Sequence, residues 1–129
     1  MSSVDAVETV SNLPFAATLE RVEAAITHAG MIIFSRIDHQ AGAREAGLDM
    51  PSATVLIYGH PKGGTPIMLA APLAALDLPL RVLVRLRADG TTVIAFHPIS
   101  AVLRAADVPD LLLHKLDPAQ QIIIDAVLK

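Results

Sequence analysis

Two apolar stripes at helical spacing, one near each end of the chain, limit this sequence to few architectures. Phe15, Leu19, Val22 and Ile26 form the first, opened by Pro14 and closed by Gly30. Leu112, Leu116, Ala119, Ile123 and Val127 form the second, which runs to the C-terminus. Between them lie four β-type segments, residues 31–37, 54–58, 80–87 and 91–96. Weak alternation over residues 4–10 predicts one more strand ahead of the first helix. Ala88-Asp89-Gly90 is a hairpin turn joining the last two strands. Two helices can cover only one face of such a sheet. The order strand, helix, four strands, helix predicts an α+β two-layer sandwich with a mainly antiparallel sheet and both long helices on one face. Short helices are expected in the connections, over 41–46, over 65–75 with a break at Pro72, and over 99–105. The other sheet face is left to be solvated, to bind a ligand or to pair with a second copy.

The chain has 129 residues, which suits a single domain spanning 1–129 with one core. Half its residues are apolar, at 53%, so a packed core is expected. That core must be aliphatic, because the aromatics are limited to Phe15, Phe34, Tyr58 and Phe96. So few aromatics, with a net charge of −3, argue against a nucleic-acid partner. The absence of cysteine excludes disulfides and thiolate chemistry. The N-terminus lacks the basic start and apolar run of a signal peptide. No apolar stretch approaches the roughly 20 residues that cross a bilayer. A cytoplasmic protein without membrane contact is the expectation.

Candidate chemistry concentrates in residues 53–82. A buried-type strand runs into Gly59-His60-Pro61-Lys62-Gly63-Gly64-Thr65-Pro66, a loop that hands over to a helix start with Thr65 as its cap and Pro66 in its first turn. Glycines there allow close backbone approach, and free N–H groups at a helix start favour anions. Lys62 with the amides of Gly63 and Gly64 is therefore a candidate site for a small anionic ligand, although the spacing is not that of a nucleotide loop. His39, His60 and His97 stand near strand ends, as do Asp38 and Asp77. A pocket joining His39, His60, Lys62 and Asp77 would suit an enzyme, while Thr65 belongs with His39, His60, Lys62, Gly63, Gly64 and Asp77 among the candidate ligand-binding residues. The simpler reading makes Asp38 a helix cap and Asp77 an acceptor of backbone N–H groups in a corner. No metal site is expected, since no spacing here matches a ligand motif. No cofactor can be named. Arg81, Arg85 and Arg87 alternate along one strand and share a sheet face with Leu83.

Taken together, Ile37-Asp38-His39, Gly47-Leu48, Tyr58 to Met68 and Leu76 to Val84 resemble, in order and spacing, domain-of-unknown-function family 302. The likeness covers about residues 10–128. It implies a strand-helix-four-strand-helix fold of the TATA-binding-protein type and homodimers of small bacterial or archaeal proteins. It implies no established reaction. This chain departs from the pattern where His60 replaces the family's usual Asn, at Arg85, and at Arg104-Ala105, where a basic-His pair is common. The expected function is that of a homodimeric binding or assembly module for a small ligand. The rival is an enzyme with a His/Lys/Asp pocket. An enzyme would gather those groups around one cleft, whereas a binding module would show an apolar or Arg-lined cavity instead.

Overall fold

A computed structural model describes residues 5–129. Strand β1 (Val7–Ser11) is followed by α1 (Phe15–His28), β2 (Ile32–Asp38), α2 (His39–Glu45) and β3 (Ala53–Gly59). Helix α3 (Pro61–Ala70) and a 3-10 turn (Pro72–Leu76) then lead to β4 (Leu80–Leu86) and β5 (Thr92–Phe96). Helices α4 (Ile99–Ala105), α5 (Asp110–Leu113) and α6 (Asp117–Leu128) complete the order. The five strands make one sheet, β1-β5-β4-β3-β2, with every neighbouring pair antiparallel. The first strand was expected from Val4, which lies outside the described residues; the observed strand begins at Val7.

Register decides which side chains share a face. Leu56 stands opposite Val82, Tyr58 opposite Leu80, and Val84 opposite Ile94. All of these are buried, and they form one core with Val22 and Ile26 of α1 and Ile123 and Val127 of α6. Both long helices therefore pack on the same sheet face, as the two stripes required. Ile67 of α3 and Leu103 of α4 close the same core at its ends.

The opposite face carries Arg81, Leu83 and Arg85, with Ile57, Val55 and Ala53 as their partners on β3. Arg85 and Arg87 both reach Glu8 of β1, at 3.2 and 3.7 Å. These pairs are partly exposed and contribute about 0–1 kcal/mol each. Among the described residues Arg81 has no such partner.

Two local details depart from the sequence reading. The last helix does not run unbroken from Leu112. It splits into α5 and α6, because Pro118 lacks an N–H and its ring collides with the carbonyl four residues back. The helix after β3 starts at Pro61, four residues ahead of the expected Thr65 cap. Its cap is His60, whose Nδ1 accepts the backbone N–H of Lys62 at 3.1 Å. Pro61 follows in the first turn with φ already set for a helix. Thr65 and Pro66 are then interior positions. Asp38 caps α2, the simpler of its two expected roles, with its Oδ1 accepting the Ala41 N–H at 2.9 Å.

Candidate ligand cavity

The C-terminal end of β3 opens into a cavity of about 400 Å³. Gly59 and His60 form its back. His60, Pro61, Gly63, Gly64, Thr65 and Met68 of the first turns of α3 form one wall, and Leu78, Pro79 and Leu80 the facing one. Met31 and Phe34 of the β2 region, with Leu116 and Ala119 at the start of α6, close the remainder. Gly59 is required where it stands. Its φ of +151° is a backbone conformation that L side chains rarely adopt. The lining is mainly apolar, with the thioethers of Met31 and Met68 and the ring of Phe34, and its side-chain polar groups are the imidazole of His60 and the hydroxyl of Thr65. This volume lies within the range of small-molecule pockets.

The amides expected to cradle an anion are already used. Gly63 N–H and Gly64 N–H both donate to the His60 carbonyl, at 3.0 and 3.2 Å, and Lys62 N–H donates to the His60 ring. Pro61 has no N–H to offer. The first turn of α3 therefore holds no free backbone donor for an oxyanion, which counts against the anion cradle read from the glycines. Gly63 serves packing instead, since a Cβ there would meet Leu116 Cδ2 at 3.1 Å.

The other candidates are dispersed. Lys62 is exposed and does not line the cavity. His39 begins α2, beside the start of β3, because Asp38 pairs with Thr54 and Ile32 with Gly59. The length of β3, about 20 Å, thus separates it from His60. Asp77 lines a different hollow, with Arg81 and His97. Its carboxylate accepts no hydrogen bond among the described residues, contrary to the corner role expected of it. Among those residues no group of three or more His, Asp or Glu is placed to hold a metal. Tyr58 is buried directly under the sheet end, its hydroxyl donating to the Ala119 carbonyl at 2.9 Å, and burial pushes its phenol well above the usual range.

A family model described as "Domain of unknown function DUF302" matches residues 7–128. The chain belongs to this family. The uncharacterized conserved DUF302 protein from Bacillus stearothermophilus superposes with a TM-score of 0.83 over 97% of each chain, at 16% identity. That likeness concerns the fold. A further match is 47% identical over 68 residues to "Fluoride-specific ion channel FluC 1" of Brucella suis biovar 1 (strain 1330), covering 53% of this chain and 27% of that one. "Fluoride-specific ion channel FluC 2" of Brucella melitensis biotype 1 matches at the same identity, with 25% of its length covered. The DUF302 chain thus spans about a quarter of the length of the curated relatives it matches. No helix among its described residues is long and apolar enough to cross a membrane.

The lining residues that sequence reasoning missed are Met31, Phe34, Met68, Leu78, Pro79, Leu80, Leu116 and Ala119. Leu116 and Ala119 were legible as stripe positions. Nothing in the stripe says that its first turn extends past the sheet end and faces a hollow.

Proposed function

We propose that this DUF302 domain is a binding module for a small, mainly apolar ligand held at the end of β3. The observation that carries this reading is the cavity of about 400 Å³ between α3, the Leu78–Leu80 segment and the start of α6. Its lining is apolar apart from His60 and Thr65. Because His60 Nδ1 already accepts a backbone N–H, the neutral ring carries its proton on Nε2. The ring can therefore donate to one acceptor on the ligand. The dispersal of His39, Lys62 and Asp77 supports binding over the rival enzyme. The transport activity in the Brucella proteins' names is not extended to this domain, for the match covers only a quarter of their length.

We also propose that two copies associate along β2. This edge strand is exposed at every position except Ile33, and Ile32, Phe34 and Ile37 present apolar surface on it. An apolar, unpaired edge invites another strand. If two copies run antiparallel about Ile37, Arg36 stands opposite Asp38 of the other copy twice. Light scattering at micromolar concentration reads the mass, and a mass of one chain would count against the pairing.

The ligand reading is tested with N-phenyl-1-naphthylamine, a neutral apolar fluorophore. Its emission should rise on binding to the wild-type chain. Gly64→Leu places a side chain against Leu78 and Met68, whose nearest atoms lie 3.7 Å from a Cβ at that position. This variant should keep its unfolding midpoint and lose at least about tenfold in affinity, as loss of about 1.4 kcal/mol would give. Equal binding by a folded Gly64→Leu protein would place the probe elsewhere and remove the proposal.

A further inference from the structure

Gly64 carries a cost that the fold does not explain. It stands in ordinary helical backbone inside α3, where glycine is less stable than alanine. Gly63 beside it has a packing reason, because a Cβ there would meet Leu116 Cδ2 at 3.1 Å. Gly64 has no such reason. A Cβ at Gly64 would find its nearest atoms, Leu78 Cδ1 and Met68 Cε, at 3.7 Å, an ordinary van der Waals distance. Alanine would fit. Gly42 of α2 is equally free of neighbours, but it lies off the cavity in open space. Gly64 lines the cavity, and so do the two side chains nearest to it.

A missing Cβ on a cavity wall lets a ligand approach the backbone closely. Leu78 and Met68 border that bare strip, so what lies on it is thin. A polymethylene chain is also thin, but the rest of the wall favours an aromatic ring. The thioethers of Met31 and Met68 both line the cavity, and such sulfurs make favourable contacts at ring edges. Phe34 adds a ring of its own. The β2–β3 register slips there, with Ile33 opposite Tyr58 and Ser35 opposite Ile57, so Phe34 is the extra residue of a bulge in an edge strand. Its half-exposed ring rims the cavity and is available for offset or edge-to-face packing.

We propose, resting on the cavity being a small-molecule site, that its ligand is a flat two- or three-ring aromatic with one hydrogen-bond acceptor on its edge. The ring lies face-down on the Gly64 backbone. Its edges meet the Met31 and Met68 thioethers and the Phe34 ring, and its acceptor takes the Nε2 proton of His60. A cavity of about 400 Å³ has room for such a ring system.

Displacement of N-phenyl-1-naphthylamine by three matched compounds tests this. They are 2-acetylnaphthalene, its saturated decahydro analogue, which keeps the ketone but is not flat, and 2-ethylnaphthalene, which is flat but has no acceptor. 2-Acetylnaphthalene should bind about fivefold more tightly than the saturated ketone. Apolar area alone favours the reverse order, since the saturated ketone is the bulkier. It should also bind about fivefold more tightly than 2-ethylnaphthalene, through the added hydrogen bond. Gly64→Ala should keep or raise the unfolding midpoint, yet weaken 2-acetylnaphthalene at least about fivefold by crowding the strip. Phe34→Leu should narrow the gap between the flat and the saturated ketone. The proposal is overturned if the saturated ketone binds as well as 2-acetylnaphthalene, if 2-ethylnaphthalene does, or if Gly64→Ala leaves 2-acetylnaphthalene affinity unchanged. In each of those cases N-phenyl-1-naphthylamine still binds and the cavity remains a ligand site. Failure of N-phenyl-1-naphthylamine to bind the wild-type chain would instead remove the site itself.

Discussion

Replacing Gln120 by Leu should destabilise this fold far more than a polar substitution on its surface. Helix α4 begins after Pro98, which has no side chain able to cap it, and the Ile99 N–H has no partner within its own helix. The missing cap comes from α6, 21 residues away, as Gln120 Oε1 at 2.9 Å. The same amide holds the His97 carbonyl at 3.0 Å. Leu fills a similar volume but strands both backbone groups. A buried group left without a partner costs about 1–3 kcal/mol, and the His97 carbonyl is less deeply buried than the Ile99 amide. The two losses, less a modest gain from apolar burial, give about 2–4 kcal/mol. With a urea slope of about 2 kcal/mol per molar, the midpoint should fall by about 1–2 M at constant slope. Hydrogen exchange of the Ile99 amide should accelerate beyond what the global change explains. A Gln120→Leu unfolding free energy within about 0.5 kcal/mol of wild type would refute the trans-cap argument.

Tyr58→Phe removes the hydroxyl bond to Ala119 and should cost about 1 kcal/mol in denaturant unfolding. The folded Tyr58 phenol ionises above its unfolded value of 10.0, so its contribution is complete below that pH and is lost as pH rises above it. The alkaline fall in stability should therefore be shallower in Tyr58→Phe, and an identical pH profile would contradict the burial. The Asp89 carboxyl is held low by the backbone N–H of Thr91, then by its side chain, in the hairpin that Gly90 closes. That contribution is present at neutral pH and lost as pH falls through the folded value. Asp89→Asn should flatten the acid limb of an unfolding-midpoint series, and no change would argue that the turn does not sense the charge. Lys62→Ala should alter neither the unfolding midpoint nor N-phenyl-1-naphthylamine affinity, because Lys62 lies outside the cavity lining. A marked loss of probe binding would return the lysine to the site.

The sheet, its antiparallel sense and the placement of both long helices were legible because periodicity and one-sided burial state them directly. Val82, Val84 and Ile94 alternate with outward residues, and Val22, Ile26, Ile123 and Val127 recur at helical spacing. The helix start after β3 was misread for a local reason. Thr65-Pro66 carries a cap signal, yet His60-Pro61 carries another, and the imidazole of His60 took the Lys62 amide first. The cavity was half legible. His60, Gly63, Gly64 and Thr65 were singled out, but as an anion cradle, because sequence does not show that their amides close a helical turn on the His60 carbonyl. The walls supplied by Leu116 and Ala119 come from the far end of the chain, a juxtaposition that only the packing of α6 on Tyr58 creates.

The claim that an apolar ligand sits at the end of β3 is tested most directly by methyl resonances of methionine. The chain has 4 methionines, of which Met31 and Met68 line the cavity while Met50 does not. Titrating N-phenyl-1-naphthylamine into 13C-methyl-methionine protein should move the Met31 and Met68 methyl signals together, with one affinity, and leave Met50 in place. Shifts confined to Met50, or no shift at Met31 and Met68 while the probe is bound, would contradict the account.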